Sequence, residues 1–238
     1  MIATDRFVFL HLHKSGGSFV NEFLLRFVPS AQAVGYHLPR ALLPREYRGL
    51  PVLGFVRNPW SYYVSWYHFQ AERQQPNALF RILSDNGRLD FSATVRNMLE
   101  LGSGGDRLDA VIDALPAAYG SSGLNLPNFA LAPIRHTRLG FYSFLYRYLY
   151  GEPDRQLSVE RAEELRVKLA DRLQDFGVPL SDPMRDHLCI APPRNASVHG
   201  PYADYYSDEL RDLVAERDQL VIERHGYRFG DSGVGDSG

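Results

Sequence analysis

The chain has 238 residues, 45% of them hydrophobic and 23% charged, and a formal net charge of −2. That size and composition suit a globular α/β chain, and the near-neutral balance excludes a global pull toward nucleic acid or anionic membranes, so any anion site has to be local. The single cysteine, Cys189, excludes an intrachain disulfide and a cysteine-cluster metal site.

No apolar run approaches the roughly 20 residues of a membrane span. The first six residues lack the basic and apolar regions of a signal peptide, so a reducing cytoplasm is the expected setting. The apolar run 7–12 reads as a buried strand. Lys14-Ser-Gly-Gly-Ser18 follows as a turn, and 17–27 reads as a helix with Phe19, Val20, Phe23, Leu24 and Phe27 on one face. Residues 31–36 form a short second strand with His37 at its carboxyl end. The continuous apolar run 51–56 has the pattern of a parallel strand buried on both faces. Arg57-Asn58 stops it, and Pro59 opens an aromatic-rich helix that runs to Arg73.

The polar, glycine-punctuated stretch 74–105 reads as an insertion around one helix, 91–101. Helices are expected over 107–119, 140–150, 160–176 and 207–225, and a last short strand over 156–159. Ser207 has the form of an N-cap, with Asp208 and Glu209 in the first turn after it. The expected organisation is a single domain over 1–229, followed by a low-complexity, disordered tail at 230–238. Strands separated by helices give an α/β fold, P-loop-like and three-layered, with a central parallel sheet flanked by helices.

In such sheets ligands bind at the carboxyl ends of the strands. Lys14, His37 and Arg57 each follow a strand's carboxyl end, so three separate segments converge on one edge. A strand, a glycine turn and a helix N-terminus form an anion cradle, because the glycines allow close approach and the first N–H groups of the helix point at negative charge. Of the 26 Lys and Arg residues only Lys14 and Lys168 are lysines. A lysine at this turn suggests a compact point charge set against one oxygen. Arg57 at a strand end and Ser65 on the following helix can hold one phosphate, as a guanidinium fork and a hydroxyl donor. The turn lacks the Gly-x-x-x-x-Gly-Lys-Ser/Thr pattern of nucleotide triphosphatases. The strand ending at Arg57-Asn58 offers no acid for magnesium, so a ligand handled without metal is expected.

Lys14-Ser-Gly-Gly-Ser18 resembles the 5′-phosphosulfate loop of sulfotransferases that use 3′-phosphoadenosine 5′-phosphosulfate (PAPS, product PAP). Arg57-Asn-Pro with Ser65 and Tyr67 resembles that family's 3′-phosphate motif. The segment from Arg194-Asn-Ala-Ser197 through Tyr205-Tyr206 to Gly226-Tyr-Arg-Phe229 resembles the C-terminal end of the carbohydrate-type branch, although no apolar run has the length of the membrane anchor of the Golgi enzymes. The resemblance implies a metal-free, in-line transfer of a sulfuryl group to an acceptor hydroxyl, on a carbohydrate first and a small alcohol or phenol next, with neither nucleic acid nor membrane as partner.

By the same resemblance Lys14 stabilises the leaving oxygen. Ser15, Gly16, Gly17, Ser18 and Phe19 hold the 5′-phosphate, Arg57 and Ser65 hold the 3′-phosphate, and Arg194 lies over the nucleotide. His37 is the expected general base, with His11, His13 and Glu46 as competitors. Two other functions stay open at the level of sequence: a P-loop nucleotide kinase-like enzyme, and a nucleotide-binding module without turnover.

Overall fold

The computed structural model describes residues 1–192 and 198–231. In chain order the elements are β1 (Ile2–Ala3), β2 (Val8–Leu10), α1 (Gly17–Phe27), β3 (Gln32–Ala33), β4 (Val52–Val56), α2 (Pro59–Ala71), α3 (Ala78–Leu83), α4 (Phe91–Leu99) and α5 (Asp106–Ala114). There follow α6 (Asn128–Leu131), α7 (Phe141–Tyr150), β5 (Leu157–Arg161), α8 (Leu165–Asp175), α9 (Asp182–Ile190), α10 (Asp208–Arg217) and α11 (Gln219–His225). They pack as two compact units, Met1–Arg57 with Arg147–Ala196, and Asn58–Tyr146 with Ser197–Gly238.

The first unit is a mixed α/β layer structure built on a five-stranded sheet of order β3-β1-β2-β4-β5. β2, β4 and β5 are parallel neighbours, with Leu10 opposite Gly54 and Val56 opposite Arg161. β1 is antiparallel to both β2 and β3, so the sheet is only partly parallel. Two reversals restore direction, and β3 therefore runs the same way as β2, β4 and β5.

Val52–Val56 is buried along its whole length, as a strand covered on both faces must be. On one face Phe7, Phe9, Leu53 and Phe55 meet Phe19, Val20, Phe23 and Leu24 of α1, Leu169 and Leu173 of α8, and Met184 and Leu188 of α9. Tyr150, at the end of α7, donates to the Phe55 carbonyl at 2.9 Å.

The second unit is helical within its described residues. α2 opens on Asn58, whose Oδ1 accepts from Trp60 N at 3.0 Å and Ser61 N at 3.4 Å, and Pro59 fills the first helical position. Its Trp60, Tyr62, Tyr63, Val64 and Trp66 are all buried.

The expected helix 207–225 is two helices. The chain breaks at Asp218, which is fully buried and accepts from Tyr63 Oη at 2.6 Å and Ser143 N at 2.7 Å. A carboxylate drawn inward needs those donors. No helix among the described residues is long and apolar enough to cross a membrane.

Candidate functional site

The loop after β2 carries the first group of predicted residues. Lys14 has φ 58° and Gly16 has φ 78°, both in the left-handed region. Gly16 meets that requirement without strain, whereas Lys14 bears a cost that L-residues seldom accept outside tight turns or functional sites. Side-chain packing fixes the glycines as well. A Cβ on Gly16 would overlap Leu165, the first residue of α8, and one on Gly17 would overlap the His11 ring.

α1 then begins with no side-chain cap and no acid in its first turn. Phe19 N donates back to the Gly16 carbonyl at 3.1 Å. With no acid in its first turn the helix dipole is uncompensated there, which favours an anion. Ser15 is buried and its hydroxyl donates to the His13 carbonyl at 3.3 Å, while Lys14 and Ser18 are half-buried.

His37 is buried and lies against the strand-end histidines. Its ring stacks on His13 at 3.8 Å and 15°, and sits 4.2 Å from His11 and 4.3 Å from Tyr36. It too is left-handed, with φ 47°. Nδ1 lies 2.7 Å from the His11 carbonyl. A carbonyl can only accept, so Nδ1 carries the proton and Nε2 keeps its lone pair. Burial, and then the neighbouring His13 and His11, hold the His37 pKa far below the ordinary histidine value. The same burial, followed by His13, pushes His11 down to about 3. Both rings are thus neutral at physiological pH. Asn21 Nδ2 donates to His11 Nδ1 at 3.2 Å.

Arg57 follows β4 directly and is half-buried. β2 and β4 are parallel neighbours, so the Lys14 loop and Arg57 leave the same edge of one sheet. β5 adds a third cation there: Arg161, opposite Val56 and one position short of Arg57's level. Sequence reading missed Arg161 because 160–176 looks like one amphipathic helix. Its first residues instead complete the strand, and α8 starts only at Leu165. β1 was missed because two residues carry no periodicity. Its turn is tied by Thr4, whose Oγ1 accepts from Arg6 N at 3.1 Å and Phe7 N at 2.9 Å.

The remaining predicted residues lie elsewhere. Ser65 is buried in α2 of the second unit. Glu46 is exposed in a 3-10 turn, Arg45–Tyr47. Arg194, with Asn195 and Ser197, lies outside the described residues, as does nearly all of the 230–238 tail.

The first unit thus gathers, on one sheet edge, an uncapped helix start, Lys14, two arginines and a neutral imidazole with an available lone pair. Such a set can bind a polyanion, neutralise a leaving oxygen and accept a proton. No family model matches the chain, and no curated protein matches it. A solved structure, mouse sulfotransferase SULT7A1 complexed with PAP, is similar over 96% of this chain and 87% of that one, at 14% sequence identity and a TM-score of 0.45.

Proposed function

We propose that this protein is a sulfotransferase that moves a sulfuryl group from PAPS to an acceptor hydroxyl, on a carbohydrate or a small alcohol or phenol, without a metal. One observation carries the reading. The loop bearing Lys14 and the residue Arg57, whose motifs resemble the two phosphate sites of that family, leave adjacent parallel strands at the same end.

The residues present suit such a donor. The start of α1 carries no acid that would repel a phosphate, and Lys14, Arg57 and Arg161 supply local positive charge in a chain whose net charge is −2. When bound, the donor supplies the sulfuryl group and a leaving 3′-phosphoadenosine 5′-phosphate.

The chain's own residues do the rest. Backbone N–H groups of Ser15 to Ser18, with the Ser18 hydroxyl, hold the 5′-phosphate, while Phe19 N, expected to join them, donates to the Gly16 carbonyl instead. The Lys14 ammonium meets the charge that develops on the oxygen that departs from sulfur. Arg57 forks onto the 3′-phosphate. His37 Nε2 takes the proton of the acceptor hydroxyl as the new oxygen–sulfur bond forms and the bridging bond breaks. Its proton on Nδ1, donated to the His11 carbonyl, points the ring's basic nitrogen the other way.

Calorimetric titration with adenosine 3′,5′-bisphosphate tests the reading, run beside adenosine 5′-phosphate and ATP with and without magnesium. The expected result is magnesium-independent binding of the bisphosphate, and an Arg57→Ala variant that loses at least about tenfold more affinity for the bisphosphate than for the 5′-monophosphate. A preference for magnesium-ATP overturns the sulfotransferase reading in favour of a kinase-like enzyme. Equal losses for both nucleotides overturn the assignment of Arg57.

A further inference from the structure

His11 is anchored beside His37 by two residues of α1. Asn21 Nδ2 donates to its Nδ1 at 3.2 Å, the absent side chain of Gly17 gives its ring a flat seat, and the ring is buried 4.2 Å from that of His37. Its main-chain carbonyl is the acceptor 2.7 Å from His37 Nδ1. The other two neighbours of His37 are more accessible, His13 being half-buried and Tyr36 exposed. Ring and carbonyl thus belong to one residue, which lies in the loop after β2 and is pinned by two residues of α1, Gly17 and Asn21.

We propose that His11, seated by Gly17 and Asn21, is a positioning residue that holds His37 as its Nδ1–H tautomer with Nε2 as the proton acceptor. The proposal rests on His37 being the base. A histidine base works only when the correct nitrogen is unprotonated and the ring cannot turn over. Turning the His37 ring over would take Nδ1 from the His11 carbonyl, leaving a buried acceptor unmatched, and would drive the ring through the space His11 fills. The shape of His11 does the holding, and its charge does not, since burial keeps it neutral. This separates the two strand-end histidines that sequence alone leaves as rival bases: His11 holds the base and does not replace it.

The test is long-range proton–nitrogen NMR of the histidines in the full chain, with adenosine 3′,5′-bisphosphate affinity measured on the same samples. In the unsubstituted protein His37 Nδ1 should resonate as a protonated, pyrrole-type nitrogen and Nε2 as a bare, pyridine-type one. His11→Ala should shift His37 toward the other tautomer or a mixture, with bisphosphate affinity within about 2-fold. His11→Phe, which keeps a flat ring on Gly17, should restore the Nδ1–H signature.

A His37 found as the Nε2–H tautomer in the unsubstituted protein overturns the proposal, as does an unchanged His37 spectrum in His11→Ala. Should His11→Ala fail to fold, Asn21→Ala takes its place, with a partial shift expected and no shift counting against. A His37→Ala variant that still transfers sulfate would remove the base assignment itself, and would do so whatever the tautomer result.

Discussion

Lys14 carries the sharpest single-residue prediction. If its ammonium meets charge that appears only as the bridging bond breaks, Lys14→Ala should lower turnover by about 100-fold or more and weaken the bisphosphate product complex far less. Steady-state kinetics beside calorimetry checks it, and equal losses in turnover and binding would make Lys14 an ordinary binding residue. Lys14 was legible in the sequence because one of only two lysines in an arginine-rich chain, at a glycine turn after an apolar strand, has few structural explanations. The environment of His37 was not legible. The sequence placed it beyond a strand end, but its stacking on His13 and its bond to the His11 carbonyl depend on β3 lying two strands from β2, with β1 between them. Asn21 gave no signal, since a polar residue four positions into a helix reads as solvated surface.

Elements were legible where burial imposes a period and illegible where tertiary contacts override it. α1 and the core of β4 follow from apolar runs and faces. The break between α10 and α11 does not: it falls at Asp218, whose partners Tyr63 and Ser143 lie 155 and 75 positions away. Removing that carboxylate should be costly. Asp218→Ala leaves the Tyr63 hydroxyl and the Ser143 N–H buried and unmatched, and should destabilise by about 3 kcal/mol. Asp218→Asn can still accept from Ser143 and donate to Tyr63, and should cost about 1 kcal/mol or less at neutral pH. Chemical denaturation of both variants measures this, and equal costs would mean that the side chain merely fills space. α9 escaped sequence reading because 182–190 is short and mixes Pro, Asp, Arg and His with its buried Met184 and Leu188.

At the scale of the molecule the two units should answer acid in opposite directions. In the first, burial lowers the pKa of His11 to about 3 and that of His37 further. The unfolded chain takes up those protons first, so this stability is complete above pH ~6.5 and is lost as pH falls below that value. In the second, burial raises Asp218 to about 6 from an ordinary 3.8. The folded state takes up that proton first, so the penalty of the buried charge is relieved as pH falls from about 6 toward about 4. His68, lowered chiefly by burial, opposes this, but it is only half-buried and so weighs less. Hydrogen exchange at pH 7 and pH 4.5, corrected for intrinsic rates, should show protection lost in β2 and β4 and kept or gained around α11. The Asp218→Asn chain should show no gain. Parallel loss of protection in both units would refute this account. The convergence of Lys14, His37 and Arg57 on one sheet edge is the whole-molecule feature that sequence anticipated, although a parallel sheet throughout was not required for it.

The left-handed backbone at Lys14 and His37 separates what the fold prefers from what the site needs. Each non-glycine residue held there gives up roughly 1–2 kcal/mol. In a complete substitution scan selected for folding alone, glycine and asparagine should therefore be enriched over the native residue at positions 14 and 37, while β-branched residues disappear. Selected for turnover, the order should invert. Positions where the two landscapes disagree are those where a residue is kept against the interest of stability, and the proposed function makes 14 and 37 two such positions at the end of one sheet.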